Sequence, residues 1–286
     1  MPPKKKRRQT EEGIASEDAP AAAQGESAEV KEALDAMWCD PHATPAVVLV
    51  GTRGSGKSFF SIKMIRGALE NGAIDKLFAV VPTLKFEASG SYAWFNDPQY
   101  AGRIFVQEAY SPTLTLQLLN RKIEEKSSRI CYWIDDLAAA DGEVFWADKA
   151  FAKLLVVSRH LRTCVVLCNH SVASGHQLPA FVRQNISHLV LMRVSNRKLL
   201  ETAYIEFLSL HKGFRNFKHF LEVFVRISEQ GPGSGICIDL AGKAPGKAAL
   251  SIREWWQDYA PETKAVAAEK KAGAPAKNVN VEESVK

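Results

Sequence analysis

Between residues 28 and 260, short apolar runs rich in β-branched residues alternate with longer segments whose apolar positions recur every three or four residues. The runs are AVVLV (46–50), KLFAVV (76–81), RIFV (103–106), RICYWI (129–134), TCVVLC (163–168) and HLVLMRV (188–194). Several are apolar at successive positions, which predicts strands covered on both faces. The spacing between them predicts helices over 57–71, about 112–126, 143–160 and 196–210. Alternation of this kind predicts βαβ units, that is, an α/β fold with a mostly parallel sheet and helices on both faces. Beyond Leu210 the pattern loosens into FRNFKHFLEVFVRIS, a Gly/Pro break (GPGSG, 231–235), a short strand ICIDL and a segment ending in Trp255 and Trp256. No internal repeat is visible.

Two stretches lack apolar periodicity. Residues 1–27 pass from a basic cluster (Lys4, Lys5, Lys6, Arg7, Arg8) into Ala/Glu/Gly/Ser-rich sequence, and residues 261–286 are equally featureless. Both read as flexible, disordered tails around one domain at 28–260. Composition then narrows the classes. An apolar fraction of 46% and a charged fraction of 24% match an ordinary globular chain. No run approaches the ~18 apolar residues of a membrane-spanning helix. The basic start has no apolar region behind it, so it does not read as a secretory signal. Five cysteines in 286 residues fit a reducing compartment better than a disulfide framework. A net charge of +5 mildly favours a polyanionic partner.

Directly after the first strand stands Gly51-Thr52-Arg53-Gly54-Ser55-Gly56-Lys57-Ser58, a full match to G-x-x-x-x-G-K-[ST], followed by the amphipathic segment FFSIKMIRGALE. The glycines let backbone N–H groups form a nest around phosphate oxygens, and the helix that follows adds the positive end of its dipole. Lys57 is placed for the β- and γ-phosphates of ATP and the Ser58 hydroxyl for a Mg²⁺ ion. Hydrolysis also needs an acid for the metal and a group to activate water. RICYWI ends in Asp135-Asp136, at the carboxyl end of a buried strand where open α/β sheets bind ligands. Asp135 is the candidate for Mg²⁺ and Asp136 the candidate base. The alternative for this pair is a turn that ends a strand. TCVVLC ends in Asn169-His170-Ser171, so Asn169 is a candidate sensor of the terminal phosphate or a structural strand end. Cys164 and Cys168, with His170 and His176 near, match no usual zinc spacing and read as small buried apolar groups.

These residues carry a family resemblance. The order of strand, GTRGSGKS and helix, then Val81-Pro82-Thr83, YWIDDL, Arg159-His160, TCVVLCNHS and the P-x-x-x-R-x-N stretch Pro179, Arg183, Asn185 resembles the viral genome-packaging ATPases of the FtsK/HerA group, poxvirus-type branch. The resemblance covers about residues 44–240. It implies a RecA-like (ASCE) P-loop NTPase fold, a homo-oligomeric ring, and ATP-driven movement of double-stranded DNA into a capsid, at a portal-like vertex protein. Relatives place Gln and Glu where this chain has Asn169 and Asp136, each one methylene shorter. The resemblance also implies an arginine acting across a subunit interface, with Arg159 the first candidate and Arg183 the second.

A motor grips DNA through phosphate contacts. Arg193, Arg197, Lys198, Lys212, Arg215 and Lys218, interleaved with Phe214, Phe217 and Phe220, read either as such a surface or as a core-facing aromatic stripe with a solvated basic back. The cluster Pro3 to Arg8 reads as a nuclear import signal, a DNA-binding arm or an inert tail, and virion association is a further expectation. Other readings of the same loop are another DNA-dependent translocase, a nucleotide-binding DNA clamp and a small-molecule kinase. No N-K-x-D motif follows the later strands, which argues against a GTP switch.

Overall fold

The computed structural model describes residues 44–86, 90–121, 127–136, 142–170, 178–209, 214–229, 233–240 and 250–251. Within them the apolar runs pair into one sheet. Its strands are β1 (Ala46–Val50), β2 (Lys76–Val80), β3 (Ile104–Gln107), β4 (Ile130–Ile134), β5 (Thr163–Asn169), β6 (His188–Met192), β7 (Gly235–Asp239) and β8 (Leu250–Ser251). They lie in the order β3-β2-β4-β5-β1-β6-β7-β8, parallel from β3 to β6, with β7 antiparallel to both of its neighbours. All residues of β1, β4 and β5 are buried, as strands with both faces covered must be. The tails, the Pro3–Arg8 cluster, residues 122–126, His176, Lys212 and the two tryptophans at 255–256 lie outside the described residues.

Alternation along each strand divides the core in two. Val47, Leu49, Cys131, Trp133, Cys164, Val166 and Cys168 face α1 (Lys57–Glu70), which presents Phe60, Met64, Ile65, Ala68 and Leu69 at helical spacing. Val48, Val50, Tyr132, Ile134, Val165 and Leu167 face the other layer. That layer holds α2 (Pro112–Leu119), α3 (Gly142–Ala147), α4 (Lys149–Val157), α5 (Ala180–Asn185), α6 (Arg197–Ala203) and α7 (Phe217–Ser228). The cysteines Cys131, Cys164, Cys168 and Cys237 are buried free thiols whose pKa values burial pushes up, so they pack as apolar groups. Among the described residues no cluster has the make-up of a metal site of three or more His, Cys, Asp or Glu ligands.

Three helices differ from the sequence expectation. The segment expected as one helix over 143–160 is two, because Asp148 caps the second by accepting from Ala150 N at 2.7 Å; its last turn, Ser158–Leu161, tightens to 3₁₀. The helix expected over 112–126 ends at Leu119 with Asn120 as its C-cap. The one expected over 196–210 starts after Asn196, whose Oδ1 accepts from Lys198 N and Leu199 N, and widens to a π-helix at Tyr204–Leu208. The stretch that looked irregular beyond Leu210 contains α7, capped by Asn216.

That helix decides between the two readings of the aromatic stripe. Phe214, Phe220 and Phe224 are buried, and the Phe220 ring meets those of Tyr204, Phe214, Phe217 and Phe224. The phenylalanines are therefore core, and the basic residues between them form the solvated back. Phe220→Ala should destabilise the domain by about 3–5 kcal/mol, since it removes a fully buried ring; urea unfolding monitored by circular dichroism measures this.

Candidate nucleotide-binding site

β5 is hydrogen-bonded on one side to β1 and on the other to β4. All three run parallel, so the segments leaving them meet at one edge: Val50 pairs with Asn169 and Ile134 with Leu167. The glycine-rich loop, Asp135-Asp136 and Asn169-His170 thus converge, although the two strand ends follow the loop by about 80 and about 115 residues in sequence.

The loop is held from both sides. Gly51 N donates to Asn169 O at 3.3 Å, and Thr52 donates to Arg193 O through its N–H at 3.1 Å and its hydroxyl at 3.0 Å. Gly233 N donates to Ser55 O at 3.0 Å, so the residue two before β7 braces the loop. Gly54 and Gly56 have φ of +72° and +98°, the conformation that turns successive N–H groups inward. A Cβ on Gly56 would also lie 3.0 Å from the Gly233 backbone. The first turn of α1 has neither an acidic residue nor a side-chain cap, which leaves its N–H groups for an anion.

Lys57 is buried, and its Nζ donates to Gly51 O at 2.9 Å and Thr52 O at 3.2 Å and meets His170 Nδ1 at 3.3 Å. Burial draws its pKa down, against the pull of Asp136 and Asp135. The two carboxylates part, as strand alternation predicts. Asp135 is fully buried on the α1 side, where its Oδ2 accepts from Tyr92 OH at 2.6 Å while Oδ1 has no partner. Burial raises its pKa, and hydrogen bonds from Tyr92 and Ser58 oppose the rise. Asp136 adopts φ +53° and turns its Oδ1 to His170 Nε2 at 2.8 Å. That hydrogen bond is the largest cause holding its pKa below the usual carboxylate range; Lys57 and Arg53 add to it. Asn169 Oδ1 accepts from His170 N at 2.8 Å, leaving its buried Nδ2 unpaired.

This donor set fits a nucleotide and a hard divalent cation. The orphaned Oδ1 of Asp135, on a carboxylate that the Ser58 hydroxyl approaches, is the oxygen chemistry that Mg²⁺ takes. The orphaned Asn169 Nδ2 and the loop N–H groups are donors for phosphate oxygens.

The two arginines lie elsewhere. Arg159 is exposed in the 3₁₀ turn before β5, at the opposite edge of the sheet, with Nε 3.4 Å from His160 Nε2. Arg183 donates to Leu178 O at 2.7 Å and pairs with Glu206 at 3.2 Å. Neither reaches this chain's own loop. Tyr92 and His170 are the residues that motif reading missed. Tyr92 sits in a segment without a motif, whereas His170 had one signal, its place beside Asn169 at the end of a strand.

Residues 42–226 match the Poxvirus A32 protein family. No curated protein matches the chain. Among solved structures, the genome packaging NTPase B204 from Sulfolobus turreted icosahedral virus 2, in complex with ATP-gammaS, is similar at 15% identity. That match covers 72% of this chain and 96% of the other, with a TM-score of 0.49. B204, the DNA-packaging ATPase from Sulfolobus turreted icosahedral virus, is similar at 14% identity over 70% of this chain and 96% of the other, TM-score 0.48. The cytoplasmic domain of the Thermomonospora curvata type VII secretion ATPase EccC is similar at 11% identity over 77% of this chain and 28% of the other, TM-score 0.47.

The glycine geometry separates two otherwise similar substitutions. Gly54→Ala meets only the left-handed backbone penalty of about 1–2 kcal/mol. Gly56→Ala meets that penalty and the Gly233 backbone as well, so it should remove the rise in melting temperature that ATP gives, while Gly54→Ala keeps part of it; differential scanning fluorimetry distinguishes them.

Proposed function

Because the chain belongs to the Poxvirus A32 protein family, we propose that it is the ATP-hydrolysing motor subunit that drives double-stranded viral DNA into capsids. The observation that carries the site reading is the convergence, at one sheet edge, of a loop built for phosphate, a buried lysine, and two buried groups with one unpaired atom each, Asp135 Oδ1 and Asn169 Nδ2. Backbone N–H groups of Gly51 to Ser58 cradle the phosphates of ATP. Lys57 exchanges its loop carbonyls for phosphate oxygens, and Ser58 and Asp135 hold Mg²⁺, which supplies charge neutralisation on the transferring phosphoryl group when bound. Asn169 reads the terminal phosphate, and Asp136 stands on the water-activating side.

The motor works as a homo-oligomeric ring on a capsid or portal-like vertex protein. Arg159, exposed and without a carboxylate partner among the hydrogen bonds and ion pairs described, is the candidate for the neighbouring subunit's site. Arg183 is second, because Glu206 would first have to release it. DNA contacts fall to the solvated basic side chains, among them Arg197, Lys198, Arg215 and Lys218. Its setting is the infected host cell and the assembling virion, with Pro3 to Arg8 serving as a nuclear address or a DNA-binding arm.

ATP turnover should rise several-fold on long duplex DNA; a rate unaffected by DNA would favour a kinase, and a near-zero basal rate a clamp. Lys57→Ala should abolish turnover, and wild-type hydrolysis in that variant would exclude the loop as the active site. Mixing Arg159→Ala with Lys57→Ala subunits should recover part of the activity that each lacks alone, if the guanidinium serves a neighbouring site.

A further inference from the structure

One side chain outside the motifs joins two of the groups inside them. His170 follows β5 directly, is about one-third exposed, and spans the gap between Lys57 and Asp136, with Nδ1 3.3 Å from Lys57 Nζ and Nε2 2.8 Å from Asp136 Oδ1. An ammonium only donates, so the nitrogen facing Lys57 is the bare one, and the hydrogen sits on Nε2, where Asp136 accepts it.

We propose that Asp136 and His170 act as a carboxylate–imidazole pair in which His170 Nδ1, rather than the Asp136 carboxylate, takes the proton of the attacking water. The proposal rests on the reading of this edge as a site that hydrolyses ATP, and it changes which atom does the proton transfer. Three observations support it. The Asp136 carboxylate is already committed: its backbone turns left-handed at φ +53° and its Oδ1 is spent on the ring. With that oxygen held by the ring, the carboxylate is placed to anchor the imidazole rather than to meet water itself. Its side chain is also short, and an imidazole mounted on it extends the reach of the pair toward the loop. Finally, Nδ1 points at the very ammonium that phosphate displaces. Lys57 now spends its donors on Gly51 O, Thr52 O and Nδ1. When a terminal phosphate draws Lys57 into the loop, Nδ1 is bared beside that phosphate, so the base is released only when substrate is present.

The step balances without any further reactant. One water proton passes to Nδ1 as the water oxygen bonds to the γ-phosphorus and the bond from that phosphorus to the bridging oxygen of the leaving diphosphate breaks. The imidazolium is held by Asp136, as in other carboxylate-oriented histidines, and loses its proton to solvent through its exposed edge.

The test measures ATP turnover and the binding of a fluorescent nonhydrolysable ATP analogue by the full chain and its variants. His170→Ala should lower kcat by about 100-fold or more, the usual worth of a positioned base, while binding the analogue within about threefold of wild type. His170→Gln keeps a hydrogen bond to Asp136 but has no basic nitrogen, and should be as slow as His170→Ala. Adding Asp136→Asn to His170→Ala should slow turnover no further than the slower single variant, since both act through one proton transfer. Turnover near the wild-type rate in His170→Gln or His170→Ala overturns the pair, as does a double variant whose loss equals the product of the single losses. If the wild-type chain binds the analogue but hydrolyses nothing, the hydrolytic reading falls, and the pair with it.

Discussion

β5 is wedged between the strand that feeds the glycine-rich loop and the strand that ends in two aspartates, and it is parallel to both. Ladder hydrogen bonding therefore leaves no freedom in where the three strands end. Gly51 N closes on Asn169 O, one step beyond the last paired residues, so the loop starts where β5 stops. Asp135 leaves β4 level with Cys168, and its carboxylate is carried to the α1 face by the alternation that puts Trp133 there. A shift of one residue in this register would send Asp135 to the opposite layer and Asp136 to α1. The chemistry of the edge is thus a consequence of strand pairing set in the core.

What collects at that edge is a set of groups that the protein satisfies only in part. Lys57 is buried among loop carbonyls, Asp135 is buried with one oxygen bonded to Tyr92, and Asn169 keeps one amide hydrogen-bonding group spare. Buried charges and unpaired donors are costly in a folded chain. Here the buried lysine and the carboxylates lie close enough to pull on one another with opposite signs. Tyr92 and His170 solve the same problem for different carboxylates. The first oxygen of Asp135 is fixed by a phenol and the second left open, whereas Asp136 gives its oxygen to an imidazole. The opposite pKa directions of two adjacent aspartates follow from those environments, burial in one case and a hydrogen bond in the other.

The opposite layer does a different job. The aromatic residues around α7 pack on α6 and the π-helix at Tyr204–Leu208, so the basic side chains among them are pushed outward rather than assembled into an aromatic–basic groove. Arg197 lies over the Phe217 ring and Lys218 beside Glu222, which ties part of that charge to the surface itself. The positive charge of this layer is therefore scattered over the surface rather than gathered in one groove.

The strands, the glycine-rich loop and α1 were legible from local information, because successive apolar residues, glycines at set intervals and a helical apolar stripe are written in neighbouring positions. Asp135, Asp136 and Asn169 could be placed at strand ends for the same reason. The break at Asp148 and the helix beginning after Asn216 are also local, being side-chain caps, but the apolar spacing around them masks the first and the looseness of FRNFKHF hides the second. Tyr92 on Asp135, Gly233 against Gly56, Arg193 O under Thr52 and His170 between Lys57 and Asp136 were beyond reach of the sequence. Each joins residues 34 to 177 positions apart, at separations that only strand order, register and the path of the connecting segments decide.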